Sequence, residues 1–381
     1  MKRFVATILV LMLLLVGCAS QNSATPSLPS FGSEAEEAAE VGESSAAVEE
    51  NGLRTITDAT GRQVEIPQKV ESIVCVNVGT LRFTTYMQAT DLVIGVEQNE
   101  IEPRITKPFS YINNALFSTL PVMGDNGTTY DEEIVKLSPD VVMAAMDKDA
   151  AQALQEKLGI PVVTIPLIDN MFDEAAYQTL ELMGEVYGRQ ERADELISYI
   201  KGLEEDLALR TGDIPEEEKP TVYAGGISFK GAHGFDGTEA SYSPFVAVGA
   251  NNLADQTGQK GAFNIDLEQV LQWDPDIIFL DFNGMALINE DYAANPDYYN
   301  SLTAVKEGRL YSQISFRFNA MNAELALADA YYAGKVIFPQ QFADVDPVAK
   351  ADEIFEMMLG TKFYDTLKEQ GYEFKEMKLG E

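Results

Sequence analysis

The 381-residue chain is 46% hydrophobic and carries 61 acidic against 27 basic residues, a formal charge of −34. That sign excludes nucleic acid as a partner and makes an anionic membrane surface repel the body of the protein. Two cysteines exclude a disulfide-stapled scaffold, and the length suits two domains with a large core.

Lys2 and Arg3 precede an apolar run from Phe4 to Val16, too short to span a bilayer and of the right length for a signal-peptide core. The run ends Leu15-Val16-Gly17-Cys18, which resembles the bacterial lipobox. The resemblance implies a signal peptide over residues 1–17 and a lipidated mature N-terminus at Cys18; two acyl chains on that residue suffice for stable anchoring. Residues 18–53 are rich in Ser, Ala, Glu and Gly and carry no Lys or Arg, so they read as a disordered acidic tether. A tether of this length fits a lipid-anchored protein on the outer face of a Gram-positive cell membrane. With Cys18 lipidated, Cys75 stands alone, in a sequence that reads as a buried strand.

An N-terminal α/β lobe is expected over 54–172. Thr55-Ile-Thr-Asp58-Ala-Thr-Gly61-Arg-Gln-Val-Glu-Ile66-Pro67 reads as two short strands around a turn. Apolar strands follow at Ser72–Asn77, Asp91–Val96, Val141–Ala145 and Pro161–Ile165, with helices at Leu81–Ala89 and Ala150–Leu158. Alternation of strand and helix predicts a largely parallel sheet. The pattern from Asp173 to Arg210 is helical, with Leu196, Ile200, Leu203 and Leu207 forming one apolar stripe. It predicts a stiff connecting helix over 173–212, offset or kinked near Gly188.

The C-terminal lobe, 213–381, repeats the same grammar. Its strands are Thr221–Gly226, Asp276–Asp281 and Arg309–Ile314. Three helices close the chain, the first from an Asn322 cap to Pro339, the second from Asp346-Pro347 to Gly360, the third over Thr361–Gly371. One unit occurs in both lobes: Glu132-Glu-Ile-Val-Lys-Leu-Ser-Pro-Asp140-Val-Val-Met and Glu268-Gln-Val-Leu-Gln-Trp-Asp-Pro-Asp276-Ile-Ile-Phe. Each reads as a short helix, a Pro-Asp turn and a buried strand. The predicted fold class is therefore α/β, with two Rossmann-like lobes of mostly parallel strands, one long connecting helix and a ligand cleft between the lobes.

In this order, the Thr55–Pro67 motif, the paired Glu-x6-Pro-Asp units, Ala304-Val-Lys-Glu-Gly-Arg-Leu-Tyr311 and the segment Asn322–Pro339 resemble a known family. They are similar to class III, periplasmic-binding-protein-like substrate-binding lipoproteins of ABC importers, of the iron-siderophore, haem and cobalamin type. The resemblance covers residues 54–360. It implies two lobes with little hinge closure, a permease dimer and its ATPase as partners, and one acidic docking residue per lobe, at Glu132 and Glu268. Gly225–Glu239 is similar to a subgroup of metal-complex receptors whose ligand is poorly defined.

Ligands of α/β lobes meet loops at the carboxyl ends of strands. That rule nominates Thr80 and Arg82 in the first lobe and Lys230, His233, Asp281 and Arg317 in the second. The two arginines can fork onto an anionic ligand, or pair with surface acids. Phe229, Phe316 and Phe318 can wall the cleft or belong to the core. His233 is the only histidine, so a multi-histidine site for a bare transition metal cannot be built. No nucleophile elbow, phosphate-cradling loop or Cys-His pair marks an enzyme. The expected function is a monomeric, extracytoplasmic receptor with no intrinsic cofactor, whose cargo is a small-molecule metal chelate of siderophore type. A haem, corrinoid or oxyanion receptor, or an adhesin on the same fold, are the alternatives.

Overall fold

The computed structural model describes residues 52–381; the signal segment 1–17, Cys18 and the tether up to residue 51 lie outside it. The folded chain opens with the antiparallel hairpin Leu53–Thr57 and Gln63–Pro67. Asp58 builds its turn. Its carboxylate accepts from the Thr60 and Arg62 amides, both at 3.0 Å, and from the Arg62 guanidinium at 2.8 Å. It also accepts from Thr164 Oγ1 at 2.9 Å, which ties the hairpin to the first lobe's edge strand. These bonds hold the buried Asp58 carboxyl below its usual pKa although burial opposes them.

Six strands form the first sheet, in the spatial order 128–129, 122–125, 93–97, 73–75, 141–144, 162–164. All pair in parallel except the two-residue edge strand at 128–129. The central strands Ile73–Cys75 and Val141–Ala144 are buried throughout, as a parallel sheet covered on both faces requires. Cys75 lies in this core, and burial pushes its thiol up to about 12. The second lobe holds a four-stranded, all-parallel sheet in the order 251–252, 221–225, 277–281, 310–313. A separate antiparallel ribbon, Gly237–Ala240 with Gly261–Asn264, packs beside it.

The repeated sequence unit is the same structure twice. Helices Asp131–Leu137 and Leu267–Trp273 both end on a residue in the left-handed conformation, Ser138 at φ 52° and Asp274 at φ 43°. Each is followed by Pro-Asp, and the aspartate pins the start of the neighbouring strand. Asp140 accepts from the Glu71 and Ser72 amides at 2.8 and 2.9 Å. Asp276 accepts from the Thr221 amide and hydroxyl, both at 2.8 Å. Glu132 and Glu268 are exposed at the second position of these helices.

The connector divides. Gly188, at φ 66°, ends a helix at Glu174–Tyr187 and a second begins at Gln190–Thr211. The two fold back on one another: Tyr177 Oη lies 3.2 Å from Glu204 Oε2, and Ala193 packs against Gly184. The long helix is thus the 22-residue second one, roughly 33 Å at 1.5 Å per residue. Its stripe of Leu196, Ile200, Leu203 and Leu207 is fully buried. It joins one apolar cluster with Leu327, Tyr331 and Phe342 of the second lobe and Tyr86 and Phe109 of the first. Helix Ala323–Ile337 is buried along most of its length and packs against Pro347–Leu359. A core shared across both lobes resists hinge opening, because close-packed interiors do not deform smoothly.

Candidate functional site

A cleft of about 650 Å³ opens between the lobes. Arg104, Ile105 and Thr106, in the loop after strand Val93–Glu97, supply the first-lobe wall. The second-lobe wall comes from the loop Ser228–Ala232, from Asn283, and from Arg317, Phe318 and Asn319. Each of these follows the carboxyl end of a parallel strand, where ligands of such sheets bind. No acidic residue lines this cavity, although the chain carries −34 charges.

Local backbone chemistry explains the wall. Gly226, at φ 81°, turns the chain out of strand Thr221–Gly225, and Gly284 packs beneath it so closely that a Cβ there would lie 2.4 Å from Gly226 Cα. The loop then carries His233 back onto Phe229, the rings stacked 3.8 Å apart and 3° from parallel, with His233 Nε2 2.8 Å from the Phe229 carbonyl. The stack stiffens an otherwise Gly-rich segment. The opposite turn holds Asn319 at φ 48° and Ala320 at φ 64°, conformations unfavourable for residues with a Cβ.

Two of the six nominated ligand residues, Lys230 and Arg317, line the cavity. Lys230 is exposed and has no ion pair among the described residues. Arg317 makes a two-pronged pair with the buried Glu239, Nε to Oε2 at 2.6 Å, and its Nη1 lies 3.9 Å from Asp169 of the first lobe. The other four stand behind the wall. Thr80 is buried and donates to the Val76 or Asn77 carbonyl, both at 3.0 Å. Arg82 is 2% exposed; it reaches across to the second lobe, donating to Asn322 Oδ1 at 3.2 Å and to the Phe318 and Asn319 carbonyls at 3.3 and 2.7 Å. It therefore braces the strained turn rather than presenting its charge to the cleft. Asn322 spends its side chain on this brace and caps its helix without a side-chain bond. Asp281 lies under the floor, accepting from the Asn283 amide at 2.8 Å and from the Ser315 hydroxyl. Burial raises its carboxyl to about 7. His233 is set behind Phe229, which lines the cleft.

Sequence reasoning passed over Arg104, though the strand-end rule that chose the other loops applies to the exit of strand Val93–Glu97. Its guanidinium lies 4.6 Å over the Phe318 ring, and its ion-pair partner, Glu102, stands 3.6 Å away on the exposed surface. A pair so exposed contributes little and leaves Arg104 free to turn to a ligand. Behind it Lys107, fully buried, bonds Glu100 at 2.6 Å; desolvation lowers the lysine pKa against the pull of that partner. Ser228 Oγ, also at the cavity wall, is buried without a hydrogen-bond partner. The site thus offers two cations without a strong partner, Arg104 and Lys230, a third, Arg317, already paired with Glu239, and the aromatic rings of Phe229, Phe318 and Tyr372: equipment for holding an anion with apolar parts.

The family model described as periplasmic binding protein matches residues 89–313. A molybdate-binding protein, MolA, of Haemophilus influenzae is 25% identical over 336 residues, covering 82% of this chain and 91% of that one. An ABC transporter substrate-binding lipoprotein, YvrC, of Bacillus subtilis is 25% identical over 264 residues, covering 68% of this chain and 77% of its own. Among solved structures, a periplasmic solute binding protein from Veillonella parvula superposes with a TM-score of 0.67 at 22% identity, covering 83% of this chain and 95% of that one. The last likeness concerns the fold alone.

Proposed function

The chain belongs to the periplasmic binding protein family, and from that premise we propose that it captures an anionic metal chelate of siderophore type between its lobes. It is a substrate-binding protein of an ABC importer and not an enzyme. One observation carries the cargo reading: a cleft lined by Arg104 and Lys230, and by Arg317 paired to Glu239 behind the wall, with no acidic side chain in its lining, on a protein whose net charge is strongly negative. A local positive site is what an anion needs against a repelling global field. Charge-assisted hydrogen bonds from such groups contribute roughly 1.5–3 kcal/mol each.

Size favours a chelate over a bare oxyanion such as the molybdate of the Haemophilus relative. The cavity of about 650 Å³ falls inside the range of roughly 300–1,000 Å³ that suits drug-sized ligands. A tetrahedral oxyanion fills only the volume of a few waters at about 30 Å³ each. Among the described residues no group of three or more His, Cys, Asp or Glu is placed to hold a metal ion, which favours a metal arriving already chelated.

The same reading places a monomer on the extracytoplasmic face of the membrane, held by lipid on Cys18 and docking Glu132 and Glu268 against a permease dimer driven by its ATPase. The described residues contain no helix long and apolar enough to cross a membrane. Cys18→Ala should leave an unprocessed or soluble protein whose folded body is intact; a processed form that still partitions with membranes would end the anchor reading. The cargo is tested by calorimetric titration with ferric dicitrate, a ferric tris-catecholate and molybdate. Lys230→Glu should weaken chelate binding about tenfold or more. Tight binding of molybdate alone would move the reading to an oxyanion receptor.

A further inference from the structure

Beside the cleft lies a second chamber of about 390 Å³, and the two share Phe229 and Arg317 as a common wall. Asp169 and Asn170 of the first lobe and Glu239, Ser241 and Ser243 of the second line it. Its electrostatics are opposite to those of the cleft. Arg317 faces two carboxylates, Glu239 through a two-pronged pair and Asp169 through a looser contact at 3.9 Å, so the three groups together carry one net negative charge, and Asp169, 78% exposed, is the member open to a ligand. Ser243 Oγ is buried at this wall with no hydrogen-bond partner. The cleft, by contrast, holds Lys230 without any partner and Arg104 with only a loose one.

From this polarity we infer that the cargo is dipolar: an anionic metal-chelating head in the cleft, and an arm bearing an ammonium or guanidinium group that passes Phe229 into the second chamber and pairs with Asp169. The inference rests on the anionic-chelate reading of the cleft and adds the arm. A purely anionic chelate would leave the second chamber filled with water and its net negative charge unmatched by the ligand. A cationic arm with N–H donors pairs with Asp169, while the apolar stem crosses the ring of Phe229. The exposure of Asp169 keeps the effect moderate, since ion pairs in contact with water are screened.

The test uses a matched pair of ferric tris-catecholates, one with a pendant aminobutyl arm and one with that amine acetylated. Affinities are measured by calorimetry on the full chain lacking its lipid. Wild type should prefer the amine by about three- to fivefold, with the preference shrinking in high salt. Asp169→Asn should abolish the preference, and Asp169→Lys should invert it. The ratio between the twins is the readout, because removing Asp169 also takes one carboxylate from beside Arg317 and can raise the affinity of both alike. Equal affinity of the twins for wild type overturns the arm while leaving the cleft reading intact. If neither twin binds at 100-fold excess (about 1 mM ligand on 10 µM protein, roughly a 4 kcal/mol affinity limit), the cleft reading fails and the arm with it.

Discussion

Arg82→Ala separates a brace from a ligand contact. Arg82 comes from helix Thr80–Tyr86 of the first lobe and is bonded to three acceptors of the second, the Asn322 side chain and the Phe318 and Asn319 carbonyls. It also lies 4.9 Å over the Phe109 ring. Its removal leaves three acceptors at a buried interface, each costing about 1–3 kcal/mol if no water reaches it. The Asn319–Ala320 turn, with φ of 48° and 64°, stores a further 1–3 kcal/mol or so per residue that only the surroundings hold in place. Partial relaxation and water entry bring the expected loss to about 3–4 kcal/mol, inside the range for breaking buried charged networks. Chemical denaturation read by circular dichroism should show that loss. Calorimetry should show chelate binding weakened through a smaller competent fraction, with the tight-binding enthalpy per folded molecule retained. Stability within about 0.5 kcal/mol of wild type, the spread of an ordinary surface change, combined with a large loss of affinity would refute the brace and return Arg82 to the ligand.

Asp281 ties stability to pH. Its folded-state pKa is raised to about 7 from an ordinary 3.8 by burial, so the folded state binds the proton more tightly than the unfolded chain. The stability it contributes is therefore present below the ordinary value and is lost as pH rises toward 7; Asp281→Asn should raise Tm at pH 8 and leave it unchanged at pH 4, and an equal effect at both would contradict the buried charge. Burial raises the Glu239 and Glu324 carboxyls too, so each reinforces the fall in wild-type Tm as pH rises above the ordinary carboxylate range. Gly284→Ala drives a Cβ to within 2.4 Å of the Gly226 backbone, so the 226–233 loop must move; chelate affinity should fall at least tenfold, and an unchanged value would show that this loop does not shape the site. Replacing Glu132 and Glu268 together by Lys should abolish uptake in cells while ligand affinity stays that of wild type; normal transport by the double variant would end the docking assignment.

The fold was largely legible in the sequence because its carriers are local. Pro-Asp after a short amphipathic helix specifies a stop, and the following β-branched run specifies a buried strand, so the duplicated unit announced both lobes. The Asp346-Pro347 start and Gly360 stop of the helix Pro347–Leu359 were equally explicit, with Asp346 bonding two amides and Gly360 at φ 80°. What escaped were elements without periodic pattern: the ribbon Gly237–Ala240 with Gly261–Asn264, held by non-local pairing, and the short helices over 108–117. The connector's reversal was visible only as Gly188, because a left-handed glycine marks a break but not the direction taken after it. The site was legible only in part. Strand-end position led to Lys230 and Arg317, which line the cavity, but position says nothing of where a long side chain points. Arg82 follows a strand as faithfully as Arg317 does, and tertiary acceptors turn it inward.

Native mass spectrometry of the protein purified without denaturation from its own host tests the central claim most directly. The account predicts a bound species of several hundred daltons containing a metal with its organic chelator, released or weakened in Arg104→Glu/Lys230→Glu. A protein that carries a bare divalent cation, or a cationic or neutral cargo whose retention is indifferent to those two substitutions, would contradict it.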